Sequence, residues 1–295
     1  LRRLLVSAIE HPSVLAGGGF PRNATAQLPV TASGVVDLAG LRRLLTEGPP
    51  ALVSVMAANN ETGALQPIAE IAAMVHDAGG ALHVDGVQAF GKIDCDINRL
   101  QCDVLTVSSH KIGGPKGVGA LVMAEGLVPG EALIRGGGQE RGRRAGTENV
   151  IGIAGFGAAV AAAIDTMAAE VAAMRQLHAR LEAGLREVPD TVIFAESVPR
   201  LPNTTLVAVP GMKAETAVIG FDLEGVAVSS GAACSSGKVQ PSHVLVAMGV
   251  APDLVRGAVR LSLGRDTTGE EVERCVAVWK KLAKTLSRPM HSAAG

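Results

Sequence analysis

Four short segments of this chain, far apart in sequence, carry residue types that could do chemistry together. The first is His83-Val84-Asp85, which ends an apolar run and leads into Gly86-Val87-Gln88. A carboxylate at the C-terminal end of a parallel strand sits at the edge where such sheets bind ligands. It can ion-pair a protonated ring nitrogen there, or simply cap the next helix. The second follows residues 104–107: Ser108-Ser109-His110-Lys111, then Ile112-Gly113-Gly114. A lysine just beyond a buried strand, with hydroxyls and an imidazole before it and glycines after it, suits a Schiff base beside a phosphate. A surface lysine in a turn, or a metal site built from His83, Asp85 and His110, are the alternatives. Asp85 and Lys111 together point to pyridoxal phosphate, a ring that works as an electron sink while its nitrogen is held protonated.

The third segment is Ser229-Ser230-Gly231-Ala232-Ala233-Cys234-Ser235-Ser236-Gly237. Small residues on both sides leave the thiol uncrowded, which suits a cysteine that visits two different partners; a free thiol with no task reads the same way. The fourth is Arg260, set in Ala258-Val259-Arg260-Leu261-Ser262-Leu263. A charge inside an apolar strand is costly unless paired. A guanidinium fork there fits an amino-acid carboxylate, and a structural salt bridge is the other reading. Cys95, Cys102 and Cys275 read as packing residues. None of the four cysteines has C-x-x-C spacing, so neither a structural zinc nor a disulfide framework is expected, and reduced, cytoplasmic thiols are.

The elements that must position these groups alternate between apolar runs and helical patterns, which predicts β-α-β units around a mainly parallel sheet. Strands are expected at 51–58, 81–85, 104–108 and 118–123. A helix is expected from about Pro67 to the Gly79-Gly80 stop. A polar, glycine-rich loop covers 135–146, after which Thr147 is the expected N-cap of a long alanine-rich helix reaching about Gly184. Beyond Pro189 the units shorten: strands at 204–209 and 258–263, helices at 213–223, 241–248 and 270–286. This predicts a larger domain over 1–167 and a smaller α+β domain over 168–295.

Composition sets the limits. Of 295 residues, 47 % are hydrophobic and only 2 % aromatic, with no Tyr, so Ala, Val, Leu and Gly must fill a close-packed α/β interior. The net charge of −1 gives no footprint for nucleic acid or an anionic membrane, and neither is expected as a partner. The apolar stretch 150–164 is shorter than the ~20 residues a spanning helix needs and predicts a buried helix. The opening Leu-Arg-Arg-Leu-Leu-Val is broken by Glu10, His11 and Pro12, unlike a signal peptide. Its first residue, Leu rather than Met, predicts that a longer chain continues upstream.

Taken in order, the segments resemble the cysteine desulfurases of nitrogen fixation and iron–sulfur cluster assembly, members of the class-V aminotransferases with the pyridoxal-phosphate transferase fold type I. The resemblance rests on Glu10-His11, Asn59-Asn60-Glu61-Thr62-Gly63, His83-Val84-Asp85-x-x-Gln88, Ser108-x-His110-Lys111, Arg144-Ala145-Gly146-Thr147, the Cys234 loop and Arg260-Leu-Ser-Leu-Gly-Arg265. It implies that Lys111 bonds the cofactor and shuttles protons, Asp85 pairs with the pyridine nitrogen, and Gln88 bonds the ring hydroxyl. It further implies that His11 stacks on the ring and that Asn60 lies near ring and substrate. Ser108 and His110 contact the phosphate, Thr147 reaches the phosphate of the neighbouring subunit in a homodimer, and Arg260 holds the substrate carboxylate. L-cysteine is the implied substrate, alanine the product, and Cys234 the residue that takes the sulfur as a persulfide for an acceptor or iron–sulfur scaffold protein. The family's phosphate-cradling Ala-Thr segment, expected ahead of His11, is not in this sequence, so a fragment is expected. A selenocysteine lyase, a small-molecule aminotransferase, or an inert dimerising fragment are the rival readings.

Overall fold

The computed structural model describes residues 1–127, 130–231 and 241–286. Among these described residues, ten strands form two sheets. The first holds β1 (Leu4–Ser7), β2 (Thr25–Leu28), β3 (Leu52–Met56), β4 (Ala81–Asp85), β5 (Val104–Ser108) and β6 (Gly119–Met123), in the order β2-β1-β3-β4-β5-β6. All neighbours are parallel except β6, which runs antiparallel to β5. The second sheet is antiparallel, β7 (Val192–Ile193), β8 (Thr204–Ala208), β10 (Val259–Ser262) and β9 (Ser229–Ser230), in that order.

Period-2 patterning explains how the central strands sit. In β4, Leu82 and Val84 are fully buried on one face, while His83 and Asp85 share the other. His83 is held between neighbouring strands, bonded to Ser54 Oγ on β3 at 2.6 Å and Thr106 Oγ1 on β5 at 3.1 Å. The helix Ile68–Asp77 covers the sheet with Ile68, Ile71, Ala72 and Val75, a buried stripe at helical spacing. Burying each of the larger side chains in that stripe is worth roughly 1.5–3 kcal/mol. Pro67 takes the cap position, so the helix begins at Ile68, one residue after the expected start.

The helix Val150–Arg186 spans both halves of the molecule. Phe156 and Ala163 enter the core beneath the parallel sheet, with Leu5, Val53, Val55, Leu82 and Leu105. Leu181 and Leu185 enter a second core with Phe221, Val259 and Trp279.

Two expectations about this helix are corrected. Its N-cap is Asn149, whose Oδ1 accepts the Gly152 N–H at 3.0 Å, and not Thr147, which lies in the preceding exposed loop. Its apolar first half is not buried either: only 17 % of its most apolar 18-residue window is. Val150 and Ile151 are 68 % and 87 % exposed. The stretch is apolar on every side, so one face meets the core and the opposite face is left bare. By length and composition alone the complete helix could cross a bilayer.

Several elements were not foreseen: β1, β2, β7, β9 and the helices Leu38–Thr46 and Pro252–Gly257.

Candidate active site

Because β1, β3, β4 and β5 are parallel, the segments that follow them emerge at one edge of the sheet. His11, Asn60, Asp85 with Gln88, and Ser108 through Lys111 therefore all lie along this edge. Arg260 joins them from β10 of the other sheet. A cleft of about 370 Å³ opens between the sheet edge, the long helix and β10. Asn60, Gln88, Lys92, His110, Lys111 and Arg260 line it.

Lys111 occupies a 3-10 turn, Ser109–Ile112, directly after β5. The turn closes on Gly113, whose φ of +83° is the left-handed conformation that glycine adopts without strain. A Cβ on Gly114 would stand 2.2 Å from Ser109 Oγ and 3.0 Å from the Ala159 Cβ of the long helix, so glycine lets the lysine turn pack tightly there. Burial, and then the charge of Arg260, hold the Lys111 ammonium below the usual lysine range. This raises the share of neutral amine, the form that attacks a carbonyl carbon or accepts a proton. Ser108 Oγ and His110 Nδ1 lie 2.8 Å apart beside it.

Asp85 is 9 % exposed, and its Oδ1 accepts the Val87 N–H at 2.9 Å. Glu10, fully buried, lies close enough to feel the charge of Asp85. Burial pushes the Glu10 carboxyl far above the ordinary carboxylate range; the Met56 N–H, donated to Oε1 at 2.7 Å, lowers it, and Asp85 raises it. Lys92 donates to the Gln88 carbonyl at 3.1 Å and so steadies the turn that presents Gln88. Burial and the charge of Lys111 lower its pKa as well.

Arg260 donates through Nη1 to the Asn60 carbonyl at 2.8 Å, while its buried Nε has no partner among the described residues. Burial lowers the pKa of its guanidinium and Glu61 opposes that shift. A cation with one acceptor and an orphaned N–H among the described residues, lining a cleft, is suited to an external carboxylate. The donor set also fits pyridoxal phosphate: a buried carboxylate for the ring nitrogen, an amine of lowered pKa for the aldehyde, and a hydroxyl–imidazole pair for phosphate oxygens.

Four expected residues do not line the cleft: Asp85 and Ser108, the last residues of β4 and β5, and His11 and Thr147. His11 is exposed, its Nδ1 bonded to the Ser13 hydroxyl at 2.7 Å. Thr147 is exposed in the loop before the long helix. Cys234 lies outside the described residues. The metal reading loses His83, whose two ring nitrogens are engaged by Ser54 and Thr106. Cys95, Cys102 and Cys275 are buried, their thiols pushed up to about 12, 11 and 11, chiefly by burial. Thiols that far from ionising are poor nucleophiles. Glu10, Glu61 and Lys92 received no role from sequence. Their only signal was a charge inside an otherwise small or apolar motif.

The class-V aminotransferase family matches residues 2–275. A cysteine desulfurase of Sinorhizobium fredii is 42 % identical over 294 residues, covering 97 % of this chain and 76 % of that protein. The cysteine desulfurase NifS of Azotobacter vinelandii is 41 % identical, covering 93 % of this chain and 69 % of its own length. The crystal structure of a NifS-like protein from Rickettsia africae superposes with a TM-score of 0.88 at 37 % identity, covering 96 % of this chain and 76 % of that one. An amine, a carboxylate and a guanidinium brought to one sheet edge by this fold thus have a lineage: the chain belongs to the class-V aminotransferases, in their cysteine desulfurase branch.

Proposed function

We propose that this protein takes sulfur from free L-cysteine onto Cys234, using pyridoxal phosphate, and releases alanine. The observation that carries the reading is the meeting of Lys111 and Arg260 in one cleft, 149 positions apart in sequence (260 − 111). An amine base and a guanidinium in one cleft suit an α-amino acid held by its carboxylate at Arg260 with its Cα toward Lys111. When bound, the cofactor supplies an electron sink that lets the Cα proton leave. Asp85 would hold the ring nitrogen protonated, Ser108 and His110 would receive the phosphate, and Gln88 and Asn60 would lie near the ring hydroxyl. Lys111 accepts the Cα proton. The Cys234 thiolate attacks the substrate sulfur; an S–S bond forms, the C–S bond breaks, and its electron pair stays with the carbon that is protonated in alanine. The persulfide then passes to an acceptor protein.

A homodimer completes the reading. Val150 and Ile151 leave the first turn of the long helix apolar and bare, three residues beyond Thr147. Such a face marks an interaction surface, and a second copy packed on it brings Thr147 toward a neighbouring active site.

The test compares wild type with Cys234→Ala, each supplied with pyridoxal phosphate, L-cysteine and a reductant. Wild type should yield alanine and sulfide in equal amounts. The variant should still change its absorbance spectrum when cysteine is added, yet release no sulfide. Sulfide release by the variant at the wild-type rate would assign the sulfur to another residue.

A further inference from the structure

Glu61 is a buried charge that the reaction above leaves without a task. It sits in the turn after β3, where Asn59 Oδ1 accepts the N–H groups of Glu61 and Thr62, both at 2.9 Å. The residue is 3 % exposed. One carboxylate oxygen accepts the Ser242 hydroxyl at 2.5 Å, and Ser242 Oγ in turn accepts the Leu245 N–H, capping the helix His243–Ala247. The preceding residue, Asn60, gives its carbonyl to Arg260. One turn therefore holds the guanidinium in place and carries a carboxylate within its field.

Among the described residues, the other ionisable groups packed around this turn have partners elsewhere. His243 bonds the Glu10 carbonyl, Glu10 binds the Met56 N–H, and Arg200 pairs with Glu182. Lys111 stands on the far side, within the field of Arg260. Burial raises the Glu61 pKa to about 7, with Ser242 and Arg260 opposing the rise.

We infer that Glu61 is a specificity-setting residue: it is the internal counter-charge of Arg260, and the α-carboxylate of an incoming amino acid must share that cation with it. The inference rests on the reading of Arg260 as the carboxylate clamp. Its consequence has a definite sign. A bound carboxylate weakens the hold of Arg260 on Glu61 and raises the proton affinity of Glu61, so binding takes up a proton. By reciprocity, protonated Glu61 leaves Arg260 freer and the amino acid binds more tightly. Affinity thus falls as pH rises through about 7.

The test is a titration of the cofactor-loaded protein with L-alanine, and with L-alaninamide, which lacks the carboxylate, at pH values on either side of 7. The weakening of L-alanine binding from low to high pH should be larger in wild type than in Glu61→Gln by about tenfold, the size of one charge interaction across several ångströms of half-buried site. Ionisation of the ligand amine is common to both proteins and cancels. L-alaninamide should show no such excess. Ser242→Ala removes a bond that lowers the Glu61 pKa, and should move the transition to higher pH without abolishing it.

A second readout needs no ligand. The raised pKa of Glu61 contributes stability that is fully present below its ordinary value of 4.5 and lost as pH rises toward about 7. Glu61→Gln should flatten that part of the melting-temperature profile. Equal pH dependence of L-alanine binding in wild type and Glu61→Gln overturns the inference. Failure of wild type to distinguish L-alanine from L-alaninamide at any pH overturns the clamp reading itself.

Discussion

Replacing Arg260 with Lys isolates the shape of the clamp from its charge. Arginine offers five N–H donors in a planar fork. One is taken by the Asn60 carbonyl at 2.8 Å, and the buried Nε has no partner among the described residues. Enough donors remain to grip a carboxylate at both oxygens. Lysine keeps the positive charge beside Glu61, so the local electrostatics survive, but a single ammonium reaches one oxygen at best once it has satisfied Asn60. The variant thus loses one charge-assisted hydrogen bond, worth roughly 1.5–3 kcal/mol. That corresponds to a fall in kcat/KM of about 10- to 150-fold, felt chiefly in KM because the carboxylate is held alike before and during reaction. The assay is alanine formation from L-cysteine across a range of concentrations. Cysteamine, the same thiol-amine without the carboxylate, runs in parallel, with carbon-product formation as its readout. Wild type should prefer cysteine strongly, and Arg260→Lys should compress that preference by the same factor. A well-folded Arg260→Lys variant that keeps kcat/KM and the preference over cysteamine within twofold of wild type would refute the clamp.

Two further outcomes are expected. Borohydride reduction with bound cofactor, followed by peptide mapping, should modify Lys111 and leave Lys92 and Lys116 clean, because only Lys111 has the Ser108–His110 pair beside it; labelling at Lys92 alone would move the assignment to the neighbouring cleft lysine. Ile151→Asp places a charge on the bare face of the long helix, where Ile151 is 87 % exposed; it should convert a dimer into monomers in sedimentation at micromolar protein without lowering the melting temperature, and an unchanged dimer would put the subunit contact elsewhere.

The sequence was most legible where local pattern and tertiary demand agree. Strands 81–85 and 104–108 were read to the residue, because buried parallel strands must be apolar runs and both end on polar groups at the sheet edge. Strand β1 is only four residues long, and β9 only two, so neither is long enough to show a period. The long helix misled for a different physical reason. A stretch of Ala, Gly, Ile and Val with no polar side looks the same whether its second face meets a core or waits for another subunit.

The site divides along the same line. Asp85, Lys111 and Arg260 could be picked out because each breaks a hydrophobic pattern or ends one, and an ionisable group placed there needs a purpose. Glu61 could not, since its near-neutral titration is a property of the fold. Ser242 and Arg260 reach it from 181 and 199 positions away (242 − 61 and 260 − 61), and neither spacing leaves a trace in the motif around Asn59. Residues that bond a ligand are chosen by type and can be read from the chain. Residues that set how tightly it is bound act through burial, and become visible only once distant segments have been brought together.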